Sequence, residues 1–184
     1  MPRDPIIDTS KRLSYVLRHR PDSIGVTLDP NGWIDVDALL AALGRHGPAV
    51  DRALLERVVA GNDKQRFAFS PDGLRIRASQ GHSVAVDLAL TPQQPPPVLY
   101  HGTASRFMKS ILAEGLRAGA RQHVHLSRDV DTAKRVGTRH GVPVVLTVDA
   151  ARMARDGAVF YLSDNGVWLT DAVAPRYLQL PGAT

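Results

Sequence analysis

An α+β fold in two lobes is predicted for this 184-residue chain by three observations. The first half carries helical periodicities that give way to a short alternating hairpin. The second half interleaves strands with helices. Between them lies TPQQPPP, residues 91–97, where consecutive prolines favour a stiff extended segment that packs as neither helix nor central strand. The predicted division is therefore a lobe over 1–90, a proline-rich linker over 91–97 and a lobe over 98–184. No internal repeat relates the halves.

In the first lobe, Asp8, Thr9 and Ser10 offer N-cap oxygens for a helix whose apolar positions are Leu13, Val16 and Leu17, and Pro21 forbids its continuation. A short extended segment is expected from Ile24 to Leu28, then a turn at Asn31-Gly32. Helices follow over about 36–46 and 51–60, with Gly47 and Gly61 placed to cap them. RFAFS and LRIRA alternate in polarity and are joined by Pro71-Asp72-Gly73, whose residue types suit a hairpin turn. Helices followed by a two-stranded wing predict a winged-helix module. In the second lobe VLYHG, HVHLS and PVVLTV read as strands, with helices over about 105–114, 129–139 and 149–155. VFYLS and VWLT flank Asp164-Asn165-Gly166 as a hairpin, and RYLQL reads as a last strand.

Composition narrows the chemistry. With no cysteine, disulfides, thiolate metal sites and cysteine nucleophiles are excluded, and a reducing cytoplasm is the expected location. The opening MPRDPIIDTS lacks the apolar core of a signal peptide. No later run approaches the roughly 20 apolar residues of a membrane span, so a soluble protein without membrane contact is expected. A formal charge of +5 favours anionic partners, nucleic acid foremost, although an arginine-rich genome would leave the same balance. No Gly-x-Gly-x-x-Gly follows a strand and no Walker loop is present, so a dinucleotide would not be held in the Rossmann or P-loop manner.

Several residues stand out locally. LSYVLRHRP, residues 13–21, gathers Arg18, His19 and Arg20 where a helix stops, an arrangement that suits a phosphate but equally complements the negative end of the helix dipole. Tyr100-His101-Gly102-Thr103 ends a strand, and the glycine would let backbone and ligand approach closely. His101 could as well be structural. His123 and His125 alternate with Val124 and share a strand face; with His101 they could be read as zinc ligands, but no cysteine or suitably spaced glutamate completes such a site. Asn165 and Gly166 read simply as a hairpin turn, Phe160 and Tyr161 as core or rim aromatics, and Arg66, beside Lys64 and Gln65, as part of a solvated segment.

Taken together, LSYVLRHRP, LYHGT at 99–103, HVHLS at 123–127 and FYLSDNGVWLT at 160–170 resemble the NAD-dependent RNA 2′-phosphotransferases, in the expected order from about residue 9 to residue 180. The resemblance implies a winged-helix RNA-binding lobe followed by an ADP-ribosyltransferase-like split β-sheet lobe. It implies an Arg-His-Arg-Arg catalytic set, carried here by Arg18 and His19 of LRHRP, Arg66 of DKQRF and Arg139 of VGTRHG. It also implies an NAD pocket drawing on Tyr100, His101, Gly102, Thr103, Arg121, His125, Ser127, Asn165 and Gly166. NAD is consumed as co-substrate, no metal is expected, and the partner is an RNA carrying a 2′-phosphate, tRNA-like or other, as left by tRNA splicing. Arg20 and Arg45 receive no such assignment.

The implied chemistry has two steps. The RNA 2′-phosphate displaces nicotinamide to give an ADP-ribosylated RNA. The adjacent ribose hydroxyl then attacks phosphorus, releasing RNA with a 2′-hydroxyl and ADP-ribose 1″,2″-cyclic phosphate. The only glutamates are Glu56 and Glu114, so the late-strand glutamate of many ADP-ribosyltransferases is missing. That suits a nucleophile which is already an anion and needs charge compensation, supplied by arginine's planar bidentate donors, more than deprotonation. Two other functions compete: an NAD-dependent ADP-ribosyltransferase acting on nucleic-acid phosphates, and a non-enzymatic winged-helix nucleic-acid binder. No coiled-coil heptad calls for an obligate protein partner.

Overall fold

The computed structural model describes residues 3–182. Helices and several small antiparallel sheets make it an α+β protein, and the chain divides into two units, one through Ala89 and the other from Leu90.

The first unit opens with helix α1 (Pro5–Arg18). Its start lies upstream of the predicted cap residues. Asp4 Oδ1 accepts the Ile6 N–H at 2.9 Å, and Pro5 takes the first helical position, where its missing N–H and fixed φ carry no penalty. Asp8, Thr9 and Ser10 therefore lie inside the helix rather than capping it. Leu13, Val16 and Leu17 face the core. Where an extended segment was expected from Ile24, Pro21–Ile24 instead forms a 3-10 turn that buries Ile24.

The two-residue strand β1 (Ile34–Asp35), too short to announce itself, is followed by α2 (Val36–Arg45), and Asp35 caps that helix through Oδ1 to the Ala38 N–H at 2.9 Å. Asp51 caps α3 (Arg52–Ala60) in the same way. Gly61 closes α3 as expected, its N–H donating to Arg57 O at 2.9 Å, whereas α2 closes at His46, one residue before the glycine assigned to it. Strands β2 (Phe67–Phe69) and β3 (Arg75–Ala78) pair antiparallel in the register Phe67↔Ala78, with β1 on the other edge of β3. Leu13, Leu17, Leu39, Leu43, Leu55 and Ile76 fill the core between helices and sheet.

In the second unit β4 (Leu99–Ala104) leads through a 3-10 turn into α4 (Met108–Glu114) and the two-residue β5 (Leu116–Arg117). Then come β6 (Val124–Leu126), α5 (Val130–Thr138), β7 (Pro143–Val148) and α6 (Ala150–Arg155). The chain ends in β8 (Tyr161–Leu162), β9 (Trp168–Thr170), β10 (Ala172–Val173) and β11 (Leu178–Gln179). Two antiparallel sheets result, in strand orders β11-β7-β4 and β6-β9-β8, with β10 and β5 paired separately. Tyr100 and Ser127 exchange backbone hydrogen bonds at 2.9 and 2.8 Å, which ties β4 to the exit of β6. The proline-rich stretch lies along this unit: the Gln93 N–H donates to Phe160 O and Pro97 O accepts from the Ala151 N–H.

Helix α5 packs on β4 by backbone contact. A Cβ added at Gly102 would stand 1.7 Å from Ala133 O, and one at Gly137 would stand 2.5 Å from Thr103 O. Gly102 must be small because a helix backbone occupies the space above it. The only remedy for a methyl group there is to move the helix away from the strand that carries His101. Gly102→Ala is accordingly expected to destabilise the protein by about 3 kcal/mol, at the upper end for overpacking; urea unfolding of the two proteins measures the difference, and an unchanged midpoint would contradict the contact.

Candidate active site

In the first unit the functional residues are gathered by one strap, residues 79–84, where the chain leaves β3. Arg18 is the last residue of α1 and His19 its C-cap. The terminal carbonyls of a helix need donors from outside it, and the Arg18 carbonyl takes the Ser83 N–H at 2.9 Å and the Val84 N–H at 3.4 Å. Gly81 passes over the Arg18 side chain, close enough that a Cβ would lie 3.6 Å from the guanidinium carbon. His19 Nδ1 lies 2.8 Å from Ser83 Oγ. Arg66 immediately precedes β2 and extends its ladder, its carbonyl accepting the Ser79 N–H at 2.8 Å. Both His19 and Arg66 remain partly solvent-accessible. Arg18, His19 and Arg66, three sites predicted from widely separated motifs, are thus all anchored to one six-residue segment.

Beside them lies a residue to which sequence reasoning assigned no role. His82 is only 2% exposed, and its Nε2 has no hydrogen-bond partner among the described residues. Burial first, then the charges of Arg18, Arg77 and His19, push its pKa down to about 4, so the ring is neutral at pH 7. A neutral histidine in this place adds no further positive charge beside the Arg18 and Arg77 guanidinium groups. Arg20 pairs with its neighbour Asp22 on the surface.

In the second unit Tyr100 and His101 occupy β4, and Thr103, further along the strand, is 5% exposed. His101 Nδ1 donates to the His125 carbonyl at 3.0 Å. Burial lowers the His101 pKa, the hydrogen bond to His125 opposes that, and the nearby His140 adds to the lowering. A neutral ring with its proton on Nδ1 presents Nε2 as an acceptor. Arg121 Nη1 lies 3.3 Å from His125 Nδ1. A guanidinium can only donate, so Nδ1 accepts and the His125 proton sits on Nε2. His125 and Tyr161 both register with Leu169 across the sheet, and the Tyr161 ring lies 5.6 Å from that of His123. His123, His125 and Tyr161 therefore share the face that the alternation predicted.

The remaining assignments are scattered. Ser127 is placed by its backbone pairing with Tyr100. Asn165 and Gly166 form the β8–β9 turn: Ser163 Oγ donates to Asn165 Oδ1, and the Gly166 N–H donates to Ser163 O at 2.9 Å. Arg139 is exposed at the C-terminal end of α5, next to His140. Phe160 is fully buried, and Tyr161 is half-buried. Among the described residues no three histidine, aspartate or glutamate side chains cluster as metal ligands do, and no helix is long and apolar enough to cross a membrane.

Each unit by itself carries groups of the kind a group-transfer enzyme uses on an anion, cations at a helix end in the first and histidines held in defined tautomers in the second. Comparison with known proteins places the chain within that class. The model of the family described as "RNA 2'-phosphotransferase, Tpt1 / KptA family" matches residues 4–172, and the chain belongs to this family of transferases. A relative from Agrobacterium fabrum is 62% identical over 170 residues, covering 92% of this chain and 91% of that protein. One from Burkholderia lata is 59% identical over 171 residues, covering 92% and 88%. One from Pseudomonas aeruginosa PAO1 is 56% identical over 180 residues, covering 97% and 99%. All three bear the name "Probable RNA 2'-phosphotransferase".

His82 makes stability depend on pH. Its folded pKa lies below the value of about 6.5 in the unfolded chain, so between pH 6.5 and about 4 the unfolded state binds more protons and the native state loses ground as pH falls. From pH 7 to pH 5 the expected loss attributable to this residue is about 2 kcal/mol. Urea unfolding of wild type and His82→Gln at both pH values checks it: the variant should show a smaller decline.

Proposed function

We propose that this protein transfers an internal RNA 2′-phosphate to the ADP-ribose part of NAD, yielding RNA with a 2′-hydroxyl, nicotinamide and ADP-ribose 1″,2″-cyclic phosphate. The observation that carries the reading is the anchoring of Arg18, His19 and Arg66 to one strap in a member of the RNA 2′-phosphotransferase family. In this reading the first unit is a winged-helix RNA-binding lobe, with β2 and β3 as its wing. The second unit is an ADP-ribosyltransferase-like lobe with a split sheet, preceded by the proline-rich connection at 91–97. Such an enzyme would work on RNA in the cytoplasm, on spliced tRNA or another RNA bearing a 2′-phosphate, without an obligate protein partner.

The residues of the second unit suit NAD. His101 Nε2 can accept from a ribose hydroxyl, because Nδ1 is committed to His125 O and the depressed pKa keeps the ring neutral. The Arg121 guanidinium, next to His125, can meet the pyrophosphate. Tyr100, Thr103, Ser127, Asn165 and Gly166 are assigned to the same pocket, and Gly102 serves it by keeping α5 against β4. Bound there, NAD supplies an electrophilic ribose carbon whose bond to nicotinamide breaks with the electron pair leaving on nitrogen.

Arg18, Arg66 and Arg139 are assigned to the phosphate. In the first step they orient its oxygen toward the ribose carbon. In the second they stabilise the charge that builds on the phosphoryl oxygens as the ribose hydroxyl attacks phosphorus and the RNA oxygen leaves. His19 handles a proton in that second step, either taking it from the attacking hydroxyl or giving it to the departing RNA oxygen.

Purified protein, NAD and a short RNA with one internal 2′-phosphate test the proposal. Nicotinamide, RNA 2′-hydroxyl and cyclic phosphate should appear together in NAD-dependent proportion. Nicotinamide release with persistent ADP-ribosylated RNA would point to a transferase acting on nucleic-acid phosphates, and RNA binding without NAD turnover would point to a binding module. Arg18→Ala should lower cyclic-phosphate formation at least about 100-fold, the range for removing a preorganised charge-stabilising group. His19→Ala should slow conversion of ADP-ribosylated RNA more than nicotinamide release.

A further inference from the structure

Ser83 touches both members of the Arg18–His19 pair. Its backbone N–H donates to the Arg18 carbonyl at 2.9 Å, and its Oγ lies 2.8 Å from His19 Nδ1. His19 needs such a partner. As the C-cap of α1 it has left helical geometry (φ −127°, ψ −45°), so helix packing does not set its ring, and it is only partly buried.

We propose that Ser83 is a positioning residue for His19: its hydroxyl holds Nδ1, so that proton exchange is confined to Nε2. The two imidazole nitrogens are not independent, since the hydrogen bond at one decides the protonation of the other. A serine hydroxyl can donate or accept, and the direction that serves both protonation states of the ring is Nδ1–H donating to Ser83 Oγ; the neutral ring then carries its lone pair on Nε2 and can act as a base there. After Nε2 takes a proton, the bond at Nδ1 persists, because Nδ1 still carries a hydrogen and the serine oxygen still accepts. Ser83 therefore serves the ring in both protonation states without moving. The strap makes the arrangement reproducible, because the same residue is fastened by its own amide to the end of the helix that bears His19. The positive φ of Gly81 (87°) turns the chain just ahead of it.

This inference rests on the reading that His19 handles a proton in the second step, and its test separates the two. Wild type, Ser83→Ala and Ser83→Thr are compared with NAD and RNA bearing one internal 2′-phosphate, following nicotinamide release and decay of ADP-ribosylated RNA separately across pH. Ser83→Ala should slow that decay about tenfold, as for loss of one neutral hydrogen bond, and slow nicotinamide release less. Its decay should also depend on pH differently from wild type. Ser83→Thr, which keeps the hydroxyl, should restore both rate and profile. Nitrogen NMR of histidine-labelled protein should show His19 with its proton on Nδ1 in wild type and a mixture of tautomers in Ser83→Ala.

Unchanged decay kinetics and an unchanged tautomer in Ser83→Ala would overturn the inference. So would equal slowing of both steps without rescue by threonine, which would mean that the strap merely supports the fold. If wild type forms no cyclic phosphate, the proposed reaction fails instead, and the NMR comparison still decides whether Ser83 sets the His19 tautomer.

Discussion

A helix that must stop leaves carbonyls pointing at nothing, and the way α1 resolves this shapes the first unit. Pro21 prevents the next turn, so Arg18 presents its carbonyl outward at the moment the chain turns away. The amides of Ser83 and Val84, more than sixty residues later, close that gap. Because the strap comes straight off β3, satisfying one carbonyl also fixes the sheet relative to the helix and brings the Ser79 amide onto Arg66. A backbone requirement thus gathers functional side chains that are far apart in sequence.

The second unit is governed by proximity instead. Helix α5 lies so close to β4, the strand that carries Tyr100 and His101, that side chains are excluded at Gly102 and Gly137. His101 then finds the His125 carbonyl, and Arg121 reaches His125 from the segment just before β6. The two clusters differ in electrostatic character. At the end of α1, guanidinium groups surround a histidine held neutral at pH 7; in the second unit two histidines are held in opposite tautomers by partners that can only accept or only donate.

Most of the elements were legible because their signals are local. PVVLTV became β7 over the same residues, and the Asp-Gly and Asn-Gly dipeptides marked both hairpins. What escaped notice depends on distant partners. The strands β1, β5 and β10 are two residues long and exist only because another strand lies beside them. The start of α1 was misread because Asp8, Thr9 and Ser10 look like caps, whereas Asp4-Pro5 combines a cap with a residue suited to the first position. The packing role of Gly102 is not legible because its neighbour, the Ala133 carbonyl, is 31 positions away in the chain. Arg18 and His19 could be picked out by residue type, but Gly81-His82-Ser83 could not be linked to them. A lone histidine and serine beyond a strand carry no pattern that points back to a helix.

The hairpins at Ser70–Arg75 and Ser163–Val167 are built alike. In each, the serine hydroxyl bonds the side-chain oxygen two residues on, Asp72 in one and Asn165 in the other, and the glycine amide bonds the serine carbonyl. Asn165-Gly166 is the dipeptide in which a glycine nitrogen most readily attacks the asparagine side chain, expels ammonia and leaves a succinimide. In the folded turn that nitrogen is engaged with Ser163 O and the asparagine oxygen with the serine hydroxyl, so the attack requires the turn to open first. Chemical ageing at this bond therefore keeps time with unfolding. Asp72 shows that the aspartate it can leave behind already has a seat of the right shape.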